Sequence, residues 1–196
     1  MTELSRQQRA GITMRNRSRD AFLDTAETVF TDSDYRGIQV VHIANHARLG
    51  TPTFYTTFSS KAAWGAAVLD RRLNETIDEQ AAVGTDSLRT PRDRALGHFG
   101  LLGAVASPLP GITQALIDER TAQVPYSELV PGYHSELTRA LQDGQEQQAF
   151  RDDMDSAEMA DFALDSIALA YAVHLDNPAV MAMSASLLRD GLLAKT

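Results

Sequence analysis

The sequence predicts an all-α chain, in which an N-terminal three-helix head carrying a helix-turn-helix stands on a larger helical body. Three observations predict it. Apolar residues recur at spacings of three and four through most of the 196 residues, and no segment alternates as a half-buried strand would. The stretch Ile38–Phe58 reads as a short helix, a tight turn and a second short helix. Charge also changes sign along the chain. Residues 1–72 hold ten Lys+Arg against seven Asp+Glu, a net +3, and residues 73–196 hold eight against nineteen, a net −11. A chain of net charge −8 therefore carries a basic head on an acidic body.

The elements follow in order. Residues 1–17 are polar, include Arg6, Arg9, Arg15 and Arg17, and read as a basic flexible arm. Ser18 is expected to cap the first helix, whose apolar face is Phe22, Ala26, Val29 and Phe30. Thr31 to Gly37 forms a turn. Val40, Ile43, Ala44 and Ala47 face inward from the next helix, and Arg48-Leu49-Gly50 is the tight turn, with Leu49 plugging the space between helices. Gly50 is the expected cap of the following helix, and Pro52 falls in its first turn, where a missing amide hydrogen costs little. Phe54 and Phe58, four apart, should face the core. That leaves Thr51, Thr53, Tyr55 and Thr56 outward. The head is thus expected to span residues 18–60.

The body, residues 61–196, begins with a helix from Lys61 to about Gln80, capped by Ser60. Its inward stripe is Ala62, Ala66, Leu69, Leu73 and Ile77, with Trp64 and Val68 lying off that stripe against the head. A turn-rich connection occupies residues 81–94. Helices are then expected over 95–105, 112–122, 125–148 (perturbed at Pro131-Gly132), one following an Asp155/Glu158 capping box, and a last one after Asn177-Pro178. The last two are apolar around much of their circumference. Ile167, Tyr171, Met183 and Leu187 are accordingly candidates for a dimer interface. His98, Phe99, Leu102, Tyr133, Phe162 and Tyr171, aromatic or polar groups on otherwise apolar helices for the most part, are candidates for lining a ligand pocket.

Composition excludes several classes. The chain has no cysteine, so disulfides, thiolate catalysis and cysteine-bound zinc are absent. No apolar run is long enough to span a bilayer and the start MTELSRQQRAG lacks a signal-peptide core, so a cytoplasmic location without membrane attachment is expected. No phosphate loop, Gly-x-Ser-x-Gly or dinucleotide fingerprint is present, and no enzymatic activity or cofactor is expected. His42 and His46, four apart on one helix, are the sole His-x-x-x-His pair, and no metal site is assigned to them.

A helix-turn-helix places its second helix in a DNA major groove. Here that helix offers small hydroxyls and one phenol. Thr51, Pro52 and Thr53 are placed to touch base edges, with Pro52 and a threonine methyl suited to a thymine methyl. Thr56 shares the outward face, and Gln39 is placed to hold a backbone phosphate from the preceding helix. Lys61, at a helix start, is expected to pair with a phosphate. The basic arm either enters a minor groove or lies along phosphates, or is simply a solvated tail.

The segment Phe22–Leu69 resembles the TetR family of bacterial transcriptional regulators. The resemblance rests on FLDTAETVF, on DYRGIQVVHIANHARLG and on TPTFYTTFSSKAAW. Tyr35 matches the family's aromatic after the first helix, and Val40-Val41-His42-Ile43-Ala44 its Val-x-x-Ile-Ala. Thr53-Phe54-Tyr55-Thr56-Thr57-Phe58 matches the recognition helix, and Ser60-Lys61 the pair opening the next helix. The chain departs from the family at Arg48, where glycine is usual, at Gly50-Thr51-Pro52, where Ser-Lys-Gly is common, and at Gln39, where Thr or Ser is usual. Arg48 would return from the turn the charge lost at Thr51.

The resemblance implies a ligand-binding and dimerisation body. It also implies that Tyr55 contacts a phosphate or stacks on a sugar. A repressor acting as a homodimer on a palindromic double-stranded operator, with an apolar or amphipathic small-molecule effector, is the expected function. The other reading is a helical small-molecule-binding or protein-interaction module without specific DNA binding.

Overall fold

A computed structural model describes residues 6–82, 90–173 and 191. The expected last helix, with Asn177-Pro178, Met183 and Leu187, lies outside the described residues. Among those described, the elements are α1 (Arg6–Leu23), α2 (Ala26–Asp32), α3 (Val40–His46), α4 (Thr51–Thr57), α5 (Lys61–Ala82), α6 (Pro91–Ala106), α7 (Gln114–Thr121), α8 (Tyr126–Leu129), α9 (Pro131–Glu146) and α10 (Ser156–Val173), with no strand.

The start of the chain differs from expectation. α1 begins at Arg6, so Ser18 lies inside a helix, and its hydroxyl donates to the Met14 carbonyl at 3.1 Å instead of capping. No proline or turn cluster interrupts residues 6–23, so nothing local stops the helix earlier. The expected single first helix is instead two. The Phe22 carbonyl accepts from the Thr25 amide (3.3 Å), the Thr25 hydroxyl (2.7 Å) and the Trp64 indole (3.1 Å). These short-range and long-range donors crowd one acceptor, and the axis turns between Leu23 and Ala26.

The head closes around Phe22, Phe54 and Phe58. Phe22 meets Phe54 edge-on at 5.3 Å and Phe58 at 6.2 Å. Each buried aromatic of this kind contributes roughly 1.5–3 kcal/mol by burial alone. Trp64, from the first turn of α5, is fully buried and stacks on Phe30 at 6.1 Å. The head's core therefore uses a side chain from the first helix of the body.

α5 is the spine. Ser60 caps it as expected, its hydroxyl oxygen accepting the Ala63 amide at 2.8 Å. α5 lies against α7 at Gly65, where an added Cβ would stand 2.7 Å from the Ala115 Cβ. Only glycine permits that approach.

Farther on, two predicted boundaries move. α6 starts earlier than expected, because Thr90 and Asp93 form a reciprocal capping box with Pro91 in the first turn. The long helix expected over 125–148 splits into α8 and α9, since Val130 adopts φ −138°, ψ 60° ahead of Pro131. Asp155 opens α10 by accepting the Ala157 amide at 2.8 Å. α6, α9 and α10 pack together, and α7 and α8 join them to α5.

Candidate nucleic-acid interface

The turn between α3 and α4 is built by backbone bonds. The amides of Ala47, Arg48 and Leu49 donate to the carbonyls of Ile43, Asn45 and Ala44, each at 3.0 Å. Arg48 has φ 55°, a left-handed conformation that glycine adopts without cost and other residues rarely enter. Its side chain is exposed. Gly50 is the N-cap of α4, as expected, but its φ is −82°, so no glycine is required there.

Phe54 and Phe58 anchor α4 inward. Helical spacing then fixes its other face. Pro52, Tyr55 and Thr56 are exposed and Thr51 and Thr53 half-buried, with Tyr55 56% exposed although it is a large aromatic. An aromatic ring left this open beside a packed core is an observation in need of a partner. The hydroxyls of Thr56 and Thr57 both donate to the Thr53 carbonyl at 2.8 Å. In this arrangement neither hydroxyl offers a free O–H. Gln39 is the exposed N-cap residue of α3, and its side chain makes no capping bond.

Lys61 is placed differently from the other candidates. Its ammonium donates to the carbonyls of Tyr35 (2.8 Å) and Ile38 (3.1 Å) and lies 4.3 Å from the centre of the Tyr35 ring. Burial pulls its pKa below the ordinary lysine value, against the opposing pull of Asp118 and Asp34. Two of its three N–H groups therefore tie the α2–α3 connection to α5.

Around it lies a joint that sequence reading missed. The Tyr35 amide donates to the Pro110 carbonyl at 2.8 Å and its phenol to Asp118 at 3.5 Å. Ser60 donates to Glu119 at 2.6 Å. Arg71 and Arg72 of α5 pair with Asp24 at 2.7 Å and Glu27 at 2.8 Å. The head is thus gripped by α5 and α7 at once. The cap at Ser60 was legible; its carboxylate partner, 59 residues away, carries no local signal.

In the body, α6, α9 and α10 carry all six pocket candidates. Phe99, Leu102 and Tyr133 are buried, His98 meets Tyr133 edge-on at 5.5 Å, and the Tyr133 phenol donates to the His98 carbonyl. Tyr171 lies over Gly103, in the space a side chain there would fill. Phe162 must be withdrawn from this group: it is 56% exposed on the outer face of α10. Among the dimer candidates, Ile167 is only 4% exposed and already packed into the chain's own core, so it offers no surface to a partner. Phe162 and Leu169, seven residues apart, are the large apolar groups exposed among the described side chains of α10.

Residues 22–64 match the family model of bacterial regulatory proteins, tetR family. Together with the open face of α4, this defines the chain as a helix-turn-helix DNA-binding transcriptional regulator. Solved structures share its fold over most of their length. RolR in complex with resorcinol is 15% identical, with 94% of this chain and 91% of that one covered and a TM-score of 0.61. FadR from Bacillus subtilis in complex with stearoyl-CoA is 17% identical, with 88% and 98% covered and a TM-score of 0.59. A putative tetR family transcription regulator from Shewanella sp. PV-4 is 18% identical, with 91% and 99% covered and a TM-score of 0.58. No curated protein matches the chain. The likeness to the tetR family of bacterial regulatory proteins is carried by residues 22–64 of the chain.

Proposed function

We propose that this chain is a dimeric, cytoplasmic repressor that binds a palindromic operator through α4 and is released by a small molecule bound in its body. The observation that carries the reading is the outward face of α4. Tyr55, Pro52 and Thr56 stand open on a head whose other side is fully packed. Thr51, Pro52 and Thr53 meet base edges, Tyr55 meets a phosphate or sugar, and Arg48 and Gln39 hold the flanking backbone. Two copies related by a two-fold axis present their recognition helices about 34–36 Å apart.

The effector reading rests on the α6–α9–α10 junction, where His98, Tyr133 and Tyr171 set polar groups among Phe99 and Leu102. Its neighbours in fold were solved with ligands as unlike as resorcinol and stearoyl-CoA, so an apolar or amphipathic effector is as narrow a class as the likeness supports. An effector that prefers one head spacing shifts the population towards it. The α5–α7 joint on Tyr35 and Ser60 is the route by which such a shift reaches the head. The exposed Phe162 and Leu169 support α10 as part of the dimer contact. No catalytic role is assigned to any residue.

The test is fluorescence anisotropy of the pure protein with the DNA upstream of its own gene, across a salt series. Saturable binding at two chains per duplex is expected. Tyr55→Ala should weaken it at least tenfold while leaving the melting temperature within about 2 °C, since Tyr55 is exposed. Lys61→Ala is not a clean probe, because it also cuts the tie to Tyr35 and Ile38. Equal affinity for random DNA would overturn the regulator reading.

A further inference from the structure

α1 extends well beyond what the head's core requires. Phe22 is the residue that packs against α4, between Phe54 and Phe58. One turn earlier, the Arg19 guanidinium lies 5.1 Å from the Phe58 ring, at the C-terminal end of the recognition helix. One turn earlier again, Arg15 is exposed, as is Arg17. The helix continues back to Arg6, so roughly 20 Å of it precedes Arg19. From Arg6 to Arg19 the chain carries five arginines and no acidic residue, in a protein of net charge −8. This is the densest run of positive charge in the sequence, and it leaves the head alongside the end of α4.

We infer that this helical extension is a second DNA contact, one that binds the phosphates flanking each half-site. The inference rests on the reading of α4 as the recognition helix. With α4 in a major groove, about 12 Å wide, a 20 Å helix departing from its C-terminal end reaches past the bordering strand to the neighbouring backbone. The chemistry suits phosphate and not base reading: with 3.6 residues per turn, Arg6, Arg9 and Arg17 fall on one side of α1, where they can meet a row of anions, and Arg15 falls on the other. Being already helical, the segment loses less conformational freedom on binding than a disordered tail of the same charge. Arg19 is excluded from the contact, since it is held between the Phe58 ring and the field of Asp70.

The experiment uses the full chain and a duplex selected by the protein from a random-sequence library. That duplex is prepared with about one helical turn (~10 base pairs) of flank on each side, and again with the flanks trimmed flush to the half-sites. The variant replaces Arg6, Arg9, Arg15 and Arg17 with glutamine, a residue of similar helix propensity. Each lost phosphate contact lowers the slope of log K against log salt by about 0.9. On the flanked duplex the variant is expected to lose at least two in slope and at least tenfold in affinity. On the trimmed duplex, variant and parent should bind alike. A second variant with lysine at the same four positions should restore most of the slope.

Equal slopes for parent and variant on the flanked duplex would overturn the inference, as would equal weakening on both duplexes, which marks a long-range field without contact. In either case Tyr55→Ala still weakens binding at least tenfold, and the regulator reading stands. Failure of the selection to enrich any duplex overturns both.

Discussion

Arg48 holds φ 55° in the turn between α3 and α4 with its side chain exposed, its amide bonded to the Asn45 carbonyl. A left-handed conformation at a non-glycine residue costs roughly 1–2 kcal/mol. Glycine would relieve it, though part of the gain is returned through the freer unfolded chain. Arg48→Gly is therefore expected to stabilise the protein by about 0.5–1 kcal/mol in urea denaturation. It should also reduce the salt slope of DNA binding by about one per head. A variant less stable than its parent would show that Arg48 makes a stabilising contact in the folded state. Of the four residues expected outward, Tyr55 and Thr56 are exposed, legible from spacing because Phe54 and Phe58 fix the rotation of the helix, whereas Thr51 and Thr53 are half-buried. The anchoring of Lys61 by Tyr35 and Ile38 was not, because its acceptors are backbone carbonyls more than twenty residues away.

Among the elements, α5 determines how head and body are seated. Its approach to α7 depends on Gly65, where an added methyl would stand 2.7 Å from the Ala115 Cβ, 3.2 Å from the Tyr35 ring and 3.3 Å from Ile112. Helix propensity alone favours alanine by about 1 kcal/mol. Overpacking of this kind costs about 1–3 kcal/mol, and three neighbours must yield together. Gly65→Ala is expected to be destabilising by about 1 kcal/mol net, measured by urea denaturation. A stabilised variant would show that the two helices part freely. Element existence was readable wherever apolar residues recur at helical spacing, as in α5 and α10. The misread boundaries were set by other forces. The α1–α2 break depends on Trp64, 42 residues from the carbonyl it bonds, and the Thr90–Asp93 box was lost inside a turn-rich stretch.

For the whole molecule, alkaline pH is the informative perturbation. Burial, first among the causes, raises the pKa of Tyr35, Tyr126 and Tyr133 well above the ordinary value near 10, and nearby Asp118 and Asp165 add to it for the first two. Each phenol is held neutral in the folded chain and ionises near pH 10 once unfolded. A group with a raised folded pKa gives its full stabilisation below the unfolded value and loses it as pH rises beyond. Lys61, lowered by burial, contributes the opposite sign over a similar range, but it is one ammonium against these three phenols and Tyr171, which burial also raises. Stability should fall steeply from about pH 10 upward. Urea midpoints between pH 8 and 11.5 measure this, with no cysteine thiol to confuse the titration. A flat profile would mean that the phenols ionise without unfolding. At this scale the basic-head, acidic-body division was visible in the bare charge count. The gripping of the head from two sides was not, because it depends on Pro110, Asp118 and Glu119 meeting residues 59 to 83 positions away in the chain.

Trp64 is the single tryptophan of the chain, and it sits where α5 enters the head, stacked on Phe30 and bonded to the Phe22 carbonyl. Its position makes it an intrinsic optical gauge of how the head is seated on the body. Any compound that tilts α5 must disturb the indole's stacking or its hydrogen bond, and so its emission. The molecule thus reports its own switching without a label, from a side chain of the body that is buried in the core of the head.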